Sequence, residues 1–214
     1  RVRDLATQRG IVLVFDECTS GFRETFGGLH LKYGVEPDLA VYGKTISNGY
    51  ALTAVVGRRE VMEAAQDTFI SSTFWTERIG PTAALKTLDV MEREKSWEQI
   101  TATGHAYRAR LSDLAGLHGV EVAISGMPSL TTYSLPSEDA AAYKTFITQE
   151  LLEVGILAST GIYTCLAHTP KTLDRLFEAL DPIFKTVAEC KAGKHDVHAL
   201  LKGPICHTGF ARLN

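Results

Sequence analysis

Ile11-Val12-Leu13-Val14-Phe15-Asp16 and Leu39-Ala40-Val41-Tyr42-Gly43-Lys44 are two apolar runs, each ending in or beside a charged residue, with Asp16 and Lys44 twenty-eight positions apart. Continuous apolar, β-branched character over residues 11–15 predicts a fully buried parallel strand, and residues 39–42 predict a second. Two parallel strands ending side by side put both charged residues at one carboxyl-terminal sheet edge, where α/β proteins bind ligands. A carboxylate facing an amine there suits pyridoxal phosphate (PLP). The amine forms a Schiff base, and the carboxylate keeps the pyridine nitrogen protonated so that the ring can accept electrons.

Outward from these runs, residues 16–38 hold Gly21, Gly27, Gly28, Gly34 and Pro37 and read as a long functional loop with one helical turn near residues 29–32. A third apolar run covers residues 51–57. Helices are expected at 59–66 and 81–94, the latter with Ala84, Leu85, Leu88 and Met91 at helical spacing. After Lys95 the pattern changes. A helix over 96–116, weakened by Thr103 and Gly104, precedes a hairpin of strands 120–124 and 130–135. Then follow a helix over 140–154, short strands at 156–157 and 162–166, and a proline-started helix over 170–192. The expected division is the end of an α/β domain over 1–95, a compact α+β domain over 96–192, and a loosely structured tail over 193–214. Because the chain opens on Arg1 in helical character, it is expected to be the later part of a longer protein.

The 214 residues carry a net charge of -3 and a hydrophobic fraction of 45%. That balance gives no electrostatic case for nucleic acid or an anionic membrane. No apolar stretch approaches the roughly 20 residues that span a bilayer. Cys18, Cys165, Cys190 and Cys206 are scattered, with no C-x-x-C pair. Reduced thiols and a cytoplasmic setting are expected rather than a disulfide framework.

Apolar-strand-then-Asp16-Glu17 also has the look of the magnesium-binding strand of a P-loop NTPase, and Gly43-Lys44-Thr45 mimics the end of a phosphate loop. The spacing fails, because G-x-x-x-x-G-K-[ST] requires glycine where Asp38 stands. Taken singly, Asp16 reads as a cap and Lys44 as a solvated lysine. Together they weigh differently, since a lysine directly after a buried run is costly unless its charge is paired or neutralised.

Asp16-Glu17-Cys18-Thr19-Ser20-Gly21-Phe22-Arg23, followed by Tyr42-Gly43-Lys44-Thr45-Ile46-Ser47-Asn48-Gly49, resembles the active-site signature of class III (ω-type) PLP-dependent aminotransferases. The nearest resemblance is to the glutamate-1-semialdehyde 2,1-aminomutase branch. A third piece of the pattern, a threonine in a turn before a proline-started helix, is present as Thr76 and Pro81. The resemblance implies a fold-type I PLP-transferase, here part of the large α/β domain followed by the small α+β carboxyl-terminal domain. It implies a homodimer that exchanges an amino group between an amine or amino acid and a keto or aldehyde compound. By the same resemblance, Lys44 forms the Schiff base and shuttles protons, and Asp16 salt-bridges the pyridinium. Cys18 packs on the ring face where the family commonly has valine. Thr76 binds the cofactor phosphate across the dimer interface. Family members also draw a phosphate loop and a stacking aromatic from the half before Asp16, so a non-catalytic remnant that at most dimerises is the competing reading.

Arg23 and Arg78 are candidates for a substrate carboxylate, although loop or surface ion pairs are the expected use of both. His168 is expected to cap or pack. The pair Phe74-Trp75 is a candidate lining for the pocket or the subunit interface, although an aromatic pair more often reads as core. Cys190, His195, His198, Cys206 and His207 match no zinc spacing, and no metal is implied.

Overall fold

The computed structural model describes residues 1–71, 73, 74 and 76–207. They form two compact units, one running from Arg1 to Ile100 and the other from Thr101 onward.

In the first unit, helix α1 (Val2–Arg9) ends at Gly10, whose φ of 63° lets its N–H reach Thr7 O while Ile11 N–H closes on Ala6 O at 2.9 Å. Strand β1 (Val14–Asp16) pairs in parallel with β2 (Leu39–Tyr42), and β3 (Ala54–Gly57) pairs antiparallel on the other side of β2. Between β1 and β2 lies the short helix α2 (His30–Tyr33), and α3 (Arg59–Met62) follows β3. Helix α4 (Ile79–Glu94) starts two residues before Pro81, with the Glu77 carboxylate accepting the Ile79 and Gly80 N–H groups. Ala84 on α4 joins Ala40, Tyr42 and Ile46 in a small core, with Phe22, Leu52 and Ala54 at its margin.

The first strand departs from expectation. Only residues 14–16 pair, and Ile11, Val12 and Val14 are 57%, 49% and 49% exposed. Ile11 is spent on closing α1. Leu13 offers its carbonyl to the Asp38 and Leu39 N–H groups and its own N–H to the Asp38 carboxylate at 2.7 Å. That carboxylate, buried ahead of β2, also receives Arg3 at 2.7 Å and Arg58 at 3.5 Å, so its charge is paired. Phe74, read as core, is 76% exposed, and Trp75 lies outside the described residues.

Helix α5 (Ser96–His118) begins in the first unit, where Trp97 packs its ring 5.2 Å from Phe26. Its middle is continuous through Gly104. A Cβ there would lie 2.0 Å from the Pro128 carbonyl oxygen, so the glycine serves a close backbone approach rather than a weak helix. In the second unit β4 (Ala123–Met127) and β5 (Leu130–Ser134) form the hairpin, shifted so that Ser125-Gly126-Met127 is strand and Pro128-Ser129 the turn. Strand β6 (Gly161–Tyr163) pairs antiparallel with β5, whereas residues 156–157 are not strand. Helices α6 (Ala140–Glu153) and α7 (Pro170–Lys191) complete the core. Leu173, Phe177, Leu180, Phe184 and Val187 recur on one buried stripe of α7, and Thr169 starts that helix with a capping box to Thr172.

Residues 193–207, expected to be loose, are held along α6. Val197 is buried, His198 Nε2 meets Asp139 at 2.9 Å, and the Lys202 and Cys206 N–H groups bond Gln149 and Thr145 at 2.7 and 2.9 Å. These are polar and irregular contacts, invisible to periodicity. Residues 208–214 of the expected tail lie outside the described residues. Among the described residues no helix is long and apolar enough to cross a membrane.

Candidate active site

Parallel pairing sets Asp16 opposite Val41, so both chains leave the sheet at the same end. Beyond Asp16 the chain folds back over the end of β2. Gly21 makes this possible, since a Cβ on it would stand 2.6 Å from the Tyr42 ring and 2.8 Å from the Glu17 carbonyl. Glu17 is the anchor of the loop. Its buried carboxylate takes hydrogen bonds from the Ser20 hydroxyl and from the His30 backbone at 3.0 Å, and faces His30 Nδ1 at 3.2 Å. Burial pushes this carboxyl up, but the bonds from Ser20 and from the His30 and Leu29 backbone outweigh it and hold it below its ordinary value.

The other side of the site is a tight turn. Gly43 runs extended, and a Cβ on it would lie 2.7 Å from Cys18 Sγ, so the thiol rests directly on the backbone ahead of Lys44. Lys44 opens a 3-10 turn (Lys44–Ser47) with φ of 46°, a left-handed conformation that costs a non-glycine residue about 1–3 kcal/mol. Its side chain comes back over the β1 loop. The ammonium donates to Thr19 Oγ1 at 2.5 Å and to Cys18 Sγ at 3.7 Å. Asp16 reaches the same residue from beneath, accepting the Cys18 N–H at 3.0 Å.

Asp16, Cys18 and Lys44 are therefore brought together around Cys18. Lys44 and Asp16 are both exposed, and among the described residues neither forms an ion pair with the other or with any third group. The expectation of a lysine buried behind its strand does not hold, because the left-handed turn at Lys44 carries the side chain out of the core. An amine and a carboxylate held at one edge without neutralising each other fit a ligand with an aldehyde at one end and a basic nitrogen at the other. Thr76 is exposed in the turn before α4, and no hydrogen bond ties it to Lys44 or Asp16. Arg23 is committed to the loop, donating through Nε to the Thr19 carbonyl at 2.7 Å. Arg78 is the exposed residue that precedes α4. His168 Nδ1 accepts the Cys165 N–H at 3.3 Å ahead of α7.

Thr19 is the site residue that sequence reasoning passed over. Its contact with Lys44 spans 25 residues, so no local pattern announces it.

The fold is that of a fold-type I PLP-transferase. FumI of Sphingopyxis sp. MTA144, solved in its PLP internal aldimine form, superposes with a TM-score of 0.82 at 27% identity, covering 93% of this chain and 49% of that one. Residues 1–183 match the family described as aminotransferase class-III, and the chain belongs to that family. It is 35% identical over 196 residues to the 3-aminobutyryl-CoA aminotransferase of Cloacimonas acidaminovorans (strain Evry), covering 89% of this chain and 47% of the relative. It is 30% identical over 205 residues to a glutamate-1-semialdehyde 2,1-aminomutase of Neisseria gonorrhoeae (strain NCCP11945), covering 87% and 48%. The chain thus spans about half the length of the relatives it matches.

Proposed function

We propose that the protein carrying this chain transfers an amino group between an amine or amino acid and a keto or aldehyde compound, with PLP held at Lys44 and Asp16. The observation that carries the reading is the convergence on Cys18, at one sheet edge, of an ammonium and a carboxylate that form no ion pair among the described residues. When bound, PLP supplies an aldehyde carbon for an amine to attack and an electron-withdrawing ring. Lys44 Nζ would be the amine that holds the cofactor and the base that moves a proton between substrate carbons. Asp16, which accepts the Cys18 N–H, would keep a proton on the ring nitrogen. Cys18 is a small apolar contact for the ring face, and Gly43 leaves room for it. Thr76, exposed ahead of α4, would bind the cofactor phosphate of a second subunit in a homodimer.

Residues 1–95 would be the end of the large cofactor-binding domain and residues 96–192 the small domain. Four free cysteines support a reducing, cytoplasmic setting. Transfer of labelled nitrogen from alanine to an α-keto acid, PLP-dependent and lost in Lys44→Ala, is the expected outcome. Wild-type protein that neither binds PLP nor moves nitrogen would instead favour a role in dimerisation alone.

A further inference from the structure

We propose that Thr19 is a positioning residue for Lys44, its hydroxyl fixing the direction in which the amine is presented. The inference rests on the reading of Lys44 as the cofactor-holding amine and goes beyond it.

An exposed lysine ordinarily samples many rotamers, and fixing one costs side-chain entropy. Lys44 has a single strong polar partner among the described residues, the Thr19 hydroxyl at 2.5 Å. That hydroxyl is itself poorly free to move. Thr19 is β-branched and stiff about χ1. Its carbonyl is gripped by Arg23 Nε at 2.7 Å, and the peptide N–H just before it, at Cys18, is gripped by Asp16 at 3.0 Å. The pair of anchors fixes the backbone at Thr19, and the backbone fixes the hydroxyl.

The chemistry of the partner matters as well as its place. A hydroxyl accepts from an ammonium and donates to a neutral amine, so it holds Lys44 in both protonation states. A carboxylate at the same position would pair with the cation alone. Asp16 is thus linked through one loop both to the ring nitrogen it would serve and to the threonine that aims the amine.

The test is the rate at which Lys44 captures PLP in the purified protein, read by borohydride quenching and mass spectrometry of the Lys44 peptide, with thermal melting to check folding. Thr19→Val keeps the shape and removes the hydroxyl, Thr19→Ala removes both, and Thr19→Ser keeps the hydroxyl alone. Loss of a hydrogen bond to a charged group predicts capture slowed about tenfold or more in Thr19→Val and Thr19→Ala. Thr19→Ser is expected to stay within about threefold of wild type, the hydroxyl being retained. Should Thr19→Val fail to fold, the contrast between Ala and Ser decides. Capture by Val or Ala at the wild-type rate, or Ser as slow as Ala, overturns the inference while leaving the reading of Lys44 intact. A wild-type protein with no label on Lys44 overturns both.

Discussion

From Thr101 onward, twenty hydrophobic side chains among the described residues bury into one continuous core, with Leu111, Ile147, Leu151, Phe184 and Val187 wholly inaccessible. Up to Ile100, the buried core around the sheet is four residues among those described, and Val14, Val55 and Val56 on its strands stay about half exposed. The unit with the deep core carries none of the proposed cofactor contacts. The thin-cored unit carries them all, at a strand end, on a loop anchored by the Glu17 carboxylate and in two turns. Apolar burial is non-directional and stabilises a shape. Hydrogen bonds have direction, so a loop built on them can aim an amine and a carboxylate.

The largest effect that would sharpen this contrast is on the core. Phe184→Ala should lower unfolding stability by about 3–5 kcal/mol, the usual result for a buried phenylalanine. Ile46→Ala, in the smaller core, should cost about 2 kcal/mol, the low end of the range. Urea titration measures both, and equal losses would break the comparison.

Next comes the contact between loop and turn. Gly43→Ala drives a Cβ against Cys18 Sγ, and capture of PLP by Lys44 should fall about tenfold, as a displacement near 1 Å readily produces. Removing the thiol in Gly43→Ala/Cys18→Ala should restore most of the rate. A double variant as slow as the single one would show that the turn fails for another reason.

Thr169→Ala removes the cap of α7 and should cost about 1 kcal/mol by urea titration. It should leave PLP capture unchanged.

The smallest effects are on pH, and they run in opposite directions in the two units. The Leu13 N–H and the Arg3 guanidinium hold Asp38 below its ordinary value of 3.8. Its contribution is complete above that value and is lost as pH falls through the lower folded one. The hydrogen bond with Asp139 raises His198 above 6.5. Its contribution is complete below 6.5 and is lost as pH rises through the folded value. Unfolding midpoints against pH should flatten at the acid end in Asp38→Asn and near neutrality in His198→Gln.

Much of this was legible from residue order. The Asp16 and Lys44 strand ends, the parallel pairing, the hairpin and the proline-started helix α7 all follow from periodicity and turn chemistry. Three readings failed for physical reasons. Residues 11–13 are apolar yet serve as a helix closure and a link, because hydrogen-bond demands at Gly10 and Asp38 claim their backbone. Gly104 signals a weak helix in isolation and a close backbone contact in the fold. Lys44 follows a buried run but is exposed, since its positive φ reverses the chain within one residue. Thr19 was beyond reach, because a contact 25 residues away along an aperiodic loop leaves no sequence signal.

The central claim is that Lys44 is the amine that holds PLP. Incubation with PLP, borohydride reduction and peptide mass spectrometry test it most directly. Stoichiometric label is expected on the peptide carrying Lys44, absent in Lys44→Ala and weakened in Asp16→Asn. Label scattered over surface lysines at equal levels, or unchanged by Lys44→Ala, would contradict it.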